Sequence, residues 1–221
     1  MGETNNRILP AGFNVPKQET EKLLIERLQN SKNDEDYFRW LLFVVAFYRG
    51  IEKVDSARAL LRMFLDSNPG DDKKAHCHLA LGQIATDEQR LETALNHFLL
   101  ALKLSPKQTK VTYVLHNNAG YCLNQLGRHR EAEQHCRLAL AIDSLRPSAY
   151  RNLGISLQGQ KDHKSAAWAF VESVKADLSD TKAHQLLSNL VDKHPVLLIE
   201  CPWIEGALNL SSDPGRDKYL V

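Results

Sequence analysis

The chain has 221 residues, 43% of them hydrophobic and 25% charged, with a formal net charge of +1. These totals fit a globular protein of one or two domains and exclude binding to nucleic acid or anionic membrane through a global basic excess. The four cysteines, Cys77, Cys122, Cys136 and Cys201, are far apart and lack zinc or redox spacing, so free thiols and no cofactor or metal are expected.

Met1–Lys17 has no apolar core of the kind a signal peptide needs, and free thiols favour a reducing compartment, so a cytoplasmic location is expected. Gly2 invites N-myristoylation, but Asn6 stands where Ser or Thr is required. Met1–Pro16, with Pro10, Gly12 and Pro16, reads as extended, and Lys17–Asn30 as a helix with Leu23, Leu24, Ile25 and Leu28 on one stripe. Residues 1–35 are therefore expected to be an extended segment followed by a capping helix.

Asp36–Tyr48 is helical and apolar on most faces, which implies burial; its run from Trp40 to Tyr48 is too short to span a bilayer. Gly50 ends it. Asp55–Ser67 follows as a second helix, with Ala57, Leu61 and Phe64 at helical spacing, and Asn68-Pro69-Gly70 is a strong turn. From there a pattern repeats. Gly82, Gly120 and Gly154 stand 38 and 34 residues apart, and Ala94, Ala132 and Ala166 repeat those intervals. Each unit reads as helix, turn, helix, over about 38–71, 75–108, 113–146 and 147–180. The first of these is degenerate, with Val45 at the glycine position. The extra three or four residues between the earlier units amount to about one helical turn. A half unit, 181–194, supplies one more helix before Pro195. Residues 195–221 start apolar, from Val196 to Ile204, and end polar. The apolar part is expected either to cap the last helix or to lie in a groove, and Lys218-Tyr219-Leu220-Val221 offers a weak strand-addition signal.

The recurring Leu81-Gly82, Ala119-Gly120 and Leu153-Gly154, each followed by Ala94, Ala132 or Ala166, resemble the tetratricopeptide repeat family over roughly 36–194. The physical reason is steric: glycine and alanine are expected to face each other where the two helices of a hairpin close, while Leu and Phe fill the space one turn away. Two departures from the family pattern stand out. His78, His116 and Tyr150 occupy the early aromatic position of the first helices, and Leu178 replaces a closing proline.

The resemblance implies an all-α, right-handed superhelix whose first helices line a concave face. That face carries His76, Leu79 and Gln83; then Asn117, Asn118, Tyr121, Asn124 and Gln125; then Arg151, Asn152, Ile155 and Gln158; then Lys182, Gln185 and Asn189. Asn and Gln each offer a donor and an acceptor, which suits the backbone of an extended peptide. Asn118 and Asn152 resemble the asparagine ladder of peptide-binding members, and replacing both is expected to weaken binding without changing stability. The carboxylate clamp of chaperone-binding members is not expected, since Leu79, Gln83 and Ser148 stand where its Lys-, Asn- and Lys-type residues would be.

No catalytic constellation stands out. His76-Cys77-His78 cannot converge on one ion from a helix, and the remaining histidines show no ligand spacing. His129 and His135 lie near Arg128, Arg130 and Arg137, which reads as a solvated, modestly basic outer face. The stretch Gly154-x4-Gly159-Gln160-Lys161 departs from a phosphate loop in the place of its Lys and in lacking Ser or Thr. The expectation is a non-catalytic adaptor that binds a protein or extended peptide in an Asn/Gln-lined groove, with no nucleic acid and no membrane insertion. The alternative is a structural module that self-associates through its end or convex faces.

Overall fold

The computed structural model describes residues 17–210, so the expectations for 1–16 and 218–221 lie outside the described residues. Twelve helices and no strand occur among the described residues. The chain divides into two compact units between Asn68 and Pro69.

The first unit contains α1 (Lys17–Gln29), α2 (Asp34–Gly50) and α3 (Val54–Asp66). Asn33 starts α2 by accepting the Asp36 N–H at 2.9 Å, and Asp34, Glu35 and Asp36 place negative charge on the first turn, where the helix dipole favours it. Leu24 and Leu28 of α1, Leu41, Val44, Val45 and Tyr48 of α2, and Ala57 and Leu61 of α3 are buried. Phe64 stacks on Tyr37 and Phe38 at 6.0 and 5.2 Å between centroids. Lys53 donates to Glu21 at 2.7 Å, joining the α2–α3 turn to α1.

The second unit contains α4 (Asp71–Asp87), α5 (Leu91–Lys103), α6 (Thr109–Gln125), α7 (His129–Ile142), α8 (Pro147–Gly159), α9 (His163–Ala176), α10 (Thr181–Lys193), α11 (Val196–Glu200) and α12 (Trp203–Leu210). Helices adjacent in sequence pack from α4 to α10, and α4 with α6 and α6 with α8 also touch, so α4, α6 and α8 form a continuous row. The extra turn lies in the first helices: α4 and α6 have 17 residues, whereas α8 and α10 have 13.

The small-residue series works differently from the expectation that glycine faces alanine. A Cβ on Gly82 would meet the Phe98 ring, one on Gly120 would meet Cys136 Sγ at 2.7 Å, and one on Gly154 would meet the Phe170 ring. Each glycine therefore makes room for the residue sixteen positions on. At Gly120 the Ala132 carbonyl also comes close, at 3.4 Å. Ala94, Ala132 and Ala166 are fully buried one turn before those partners, where they let the paired helices lie close. Gly159 has a similar role, since a Cβ there would meet the His129 ring. Both glycines of the 154–161 stretch are thus explained by packing.

The histidines are not scattered. His78 Nδ1 lies 3.1 Å from His97 Nδ1, and His116 Nδ1 lies 3.0 Å from His135 Nδ1. Each pair links the two helices of one hairpin, with one ring donating and the other accepting. In the next hairpin Tyr150 and Trp168 meet edge to face at 5.9 Å. A third histidine pair, His163 and His194, stacks at 3.8 Å between α9 and the end of α10. The outer-face arginines are largely engaged: Arg128 pairs with Glu131 at 2.7 Å and Arg137 with Glu133 at 2.8 Å.

At the end of the unit, Leu197, Cys201, Ile204 and Ala207 are buried in one core with Phe170, Leu187, Leu190 and Val191. Helix α12 packs on α9 and α10. Val196, Ile199 and Trp203 point outward and stay exposed.

Candidate functional site

Three successive first helices, α6, α8 and α10, line an open cavity of about 410 Å³. Each is set by local chemistry. Helix α8 begins with Pro147, whose fixed backbone suits a first helical position. Helix α10 is capped by Asp180, which accepts the Lys182 N–H at 3.1 Å and the Ala183 N–H at 3.2 Å. Leu153, Gly154 and Leu157 bury one side of α8, and Ala183, Leu187 and Leu190 bury one side of α10. The opposite stripes are left to line the cavity.

Helix α6 contributes Asn117, Asn118 and Tyr121 to that lining. Helix α8 contributes Ser148, Arg151, Asn152 and Ile155, and α10 contributes Lys182, Gln185, Leu186 and Asn189. The structure therefore brings together Asn117, Asn118, Tyr121, Arg151, Asn152, Gln185 and Asn189 from the expected groove residues. Gln83, on α4, and Gln158, at the far end of α8, do not line it. Asn124 is a strut. It is 6% exposed; its Nδ2 donates to the Asn152 carbonyl at 2.8 Å and its Oδ1 accepts from Ser156 Oγ at 3.0 Å. It lies near the C-terminal end of α6, where α8 covers it.

Asn152 is only partly available. It is 6% exposed, and its Nδ2 donates to Asn117 Oδ1 at 3.0 Å. Its replacement would leave Asn117 Oδ1 without this donor, so changing Asn118 and Asn152 together should cost stability, contrary to the expectation from sequence. Gln185 and Asn189 are exposed, and Asn118 and Tyr121 are half-buried. Leu186 was missed as a lining residue, and Ser148 was placed at a clamp position but not among the groove residues. The signal was present: Ser148 precedes Arg151 by one turn, and Leu186 lies on the stripe 182, 185, 186, 189. Ser148 Oγ shares a hydrogen bond with Tyr113 Oη at 3.1 Å, and Arg146 lies over the Tyr113 ring at 5.0 Å. Burial pushes the Tyr113 phenol up from its ordinary value.

The charges at the site are few. Arg151 Nη1 donates to Asp180 Oδ2, which ties α8 to the cap of α10. Lys182 is exposed and makes no ion pair among the described residues. No group of three or more His, Cys, Asp or Glu among the described residues is placed to hold a metal ion. No described helix is long and apolar enough to cross a membrane. Cys77, Cys122, Cys136 and Cys201 are all buried free thiols.

Comparison with known proteins identifies the hairpins. A tetratricopeptide repeat model matches residues 75–108 and 113–144. An uncharacterized TPR repeat-containing protein of Arabidopsis thaliana is 33% identical over 109 residues, covering 46% of this chain and 13% of that protein. A protein O-mannosyl-transferase of Caenorhabditis elegans is 30% identical over 89 residues, 40% of this chain and 12% of that protein. The chain thus spans only about an eighth of the length of these relatives. Among solved structures, YrrB, described as a TPR protein with an unusual peptide-binding site, superposes with a TM-score of 0.59 at 15% identity. It covers 88% of this chain and 93% of its own. The first TPR of Spaghetti (RPAP3), bound to an HSP90 peptide, superposes with a TM-score of 0.51 at 17% identity, covering 55% and 94%. These likenesses show the fold. Residues 75–108 and 113–144 match tetratricopeptide repeats, and the chain shares the fold of tetratricopeptide repeat structures.

Proposed function

We propose that this chain is a non-catalytic adaptor that seats an extended segment of a partner protein along α6, α8 and α10. One observation carries the reading: amide side chains from three successive first helices meet around a single cavity. Asn118, Gln185 and Asn189 each present a donor and an acceptor to an extended backbone, whose own N–H and C=O groups need both. Tyr121, Ile155 and Leu186 add apolar surface for side chains of the bound segment. The peptide-bound and peptide-binding neighbours, RPAP3 and YrrB, support the use of such a fold for peptides.

The test is blockage. Asn118→Trp combined with Asn189→Trp fills the cavity from partly open positions. Asn96→Trp, on the exposed face of α5, is the control. Peptides from a degenerate extended library should be retained by the wild type and the control and lost by the filled variant. Equal retention by all three overturns the groove reading. A second reading, self-association, rests on exposed Val196, Ile199 and Trp203 at the end of the second unit. Light scattering that finds a monomer at every concentration removes it.

A further inference from the structure

The cavity has a sign. Two of its lining side chains, Arg151 and Lys182, are cationic, and no carboxylate lines it. Asp180 partly offsets Arg151 from behind, but one of its oxygens is taken by that contact and the other by the N-terminal amides of α10. Its side chain is 10% exposed and does not line the cavity. Lys182 supplies a cation without an ion pair, and Arg151 keeps guanidinium N–H groups beyond the one that meets Asp180. Asn118 and Gln185 flank these cations as neutral donors. The arrangement gives a ligand carboxylate charge-assisted donors from α8 and α10, and gives a ligand ammonium nothing to pair with.

Resting on the groove reading above, we infer that the segment bound there is acidic, with an Asp or Glu side chain seated between Arg151 and Lys182. The contact is to a side-chain carboxylate inside the segment. The cations lie on α8 and α10, so the acidic residue enters at the C-terminal side of the repeat array, and the flanking backbone lies toward Asn117 and Asn118 on α6. The same field rejects basic segments, which gives selectivity without demanding a fixed sequence.

The experiment uses the full chain and a degenerate library of short peptides, acetylated and amidated so that no terminal carboxylate is present. The retained pool should be enriched in Asp and Glu. A retained Glu peptide should bind about tenfold more tightly than its Gln counterpart, a gap that narrows as salt is raised. Lys182→Glu should abolish the preference for Glu over Gln, and Lys182→Arg should keep it. A pool that is retained, is lost on filling the cavity through Asn118→Trp and Asn189→Trp, and shows no acidic enrichment overturns the acidic class while leaving the groove in place. Acidic peptides retained equally by the filled variant overturn both, as does a wild type that retains no peptide.

Discussion

Gly154→Ala tests the packing account most sharply. A Cβ at Gly154 would lie under 3.0 Å from the Cε1, Cδ1 and Cζ atoms of Phe170. That ring is fully buried in a core with Leu153, Leu187 and Ile204, so it cannot swing out of the way. Overpacking of this kind costs about 1–3 kcal/mol, and alanine returns up to about 1 kcal/mol of helix propensity. The net expectation is a loss of about 0–2 kcal/mol, or up to about 8 °C in Tm for a chain of this size. Gly206→Ala is the internal control. Gly206 lies inside α12 with nothing within 4 Å of an added Cβ, so alanine there should stabilise by about 0.5–1 kcal/mol. Denaturant unfolding followed by circular dichroism measures both. In a Phe170→Leu background the Gly154→Ala cost should shrink by about 1 kcal/mol or more, the coupling expected of residues in contact. If Gly154→Ala stabilises as Gly206→Ala does, the close approach does not exist.

The histidine pairs predict acid sensitivity. Burial, with His135 alongside, lowers the His116 pKa to about 4; burial lowers His78 and His135 as well, while Glu131 pulls His135 the other way. Because the folded values lie below the ordinary value of 6.5, the unfolded chain binds more protons between about pH 6.5 and 4. Stability should therefore be full above that window and fall as pH drops through it, and His116→Phe with His135→Leu should flatten the slope in pH-dependent unfolding. Burial pushes the Cys77 and Cys136 thiols up to about 12. Iodoacetamide at mildly alkaline pH should leave both unlabelled in the native chain and label them in denaturant, read by peptide mass; rapid native labelling contradicts their burial. Asn124→Ala should destabilise by about 1–3 kcal/mol in urea titration, because Ser156 Oγ and the Asn152 carbonyl both lose a buried partner, whereas Asn118→Ala should stay within about 0.5 kcal/mol.

Much of the hairpin order was legible because helix period and turn residues are local signals. Gly82, Gly120 and Gly154 fixed the register of the first helices, and Asn117, Asn118, Arg151, Gln185 and Asn189 could be projected onto one face from that register alone. What a residue touches across two helices was harder to read. The glycines pointed to alanines twelve positions on, while the structure seats Phe98, Cys136 and Phe170 against them, four positions later, because a helical side chain leans toward its own N-terminus. The pairs His78–His97 and His116–His135 share one separation in sequence, yet each joins two helices through a turn and leaves no periodic trace within either helix. Asn124 and Asn118 look alike in sequence. Only the depth to which α8 covers the end of α6 makes Asn124 a strut and leaves Asn118 open.

The central claim is that a partner segment lies on α6, α8 and α10. The most direct measurement follows the side-chain amide signals of Asn118, Gln185 and Asn189 by nuclear magnetic resonance while a library-selected peptide is titrated into the full chain. The account predicts saturable shifts at all three, with the signals of Asn96 on α5 and Gln134 on α7 unmoved. Shifts confined to α5, α7 and α9, with the three groove amides unchanged, would contradict it.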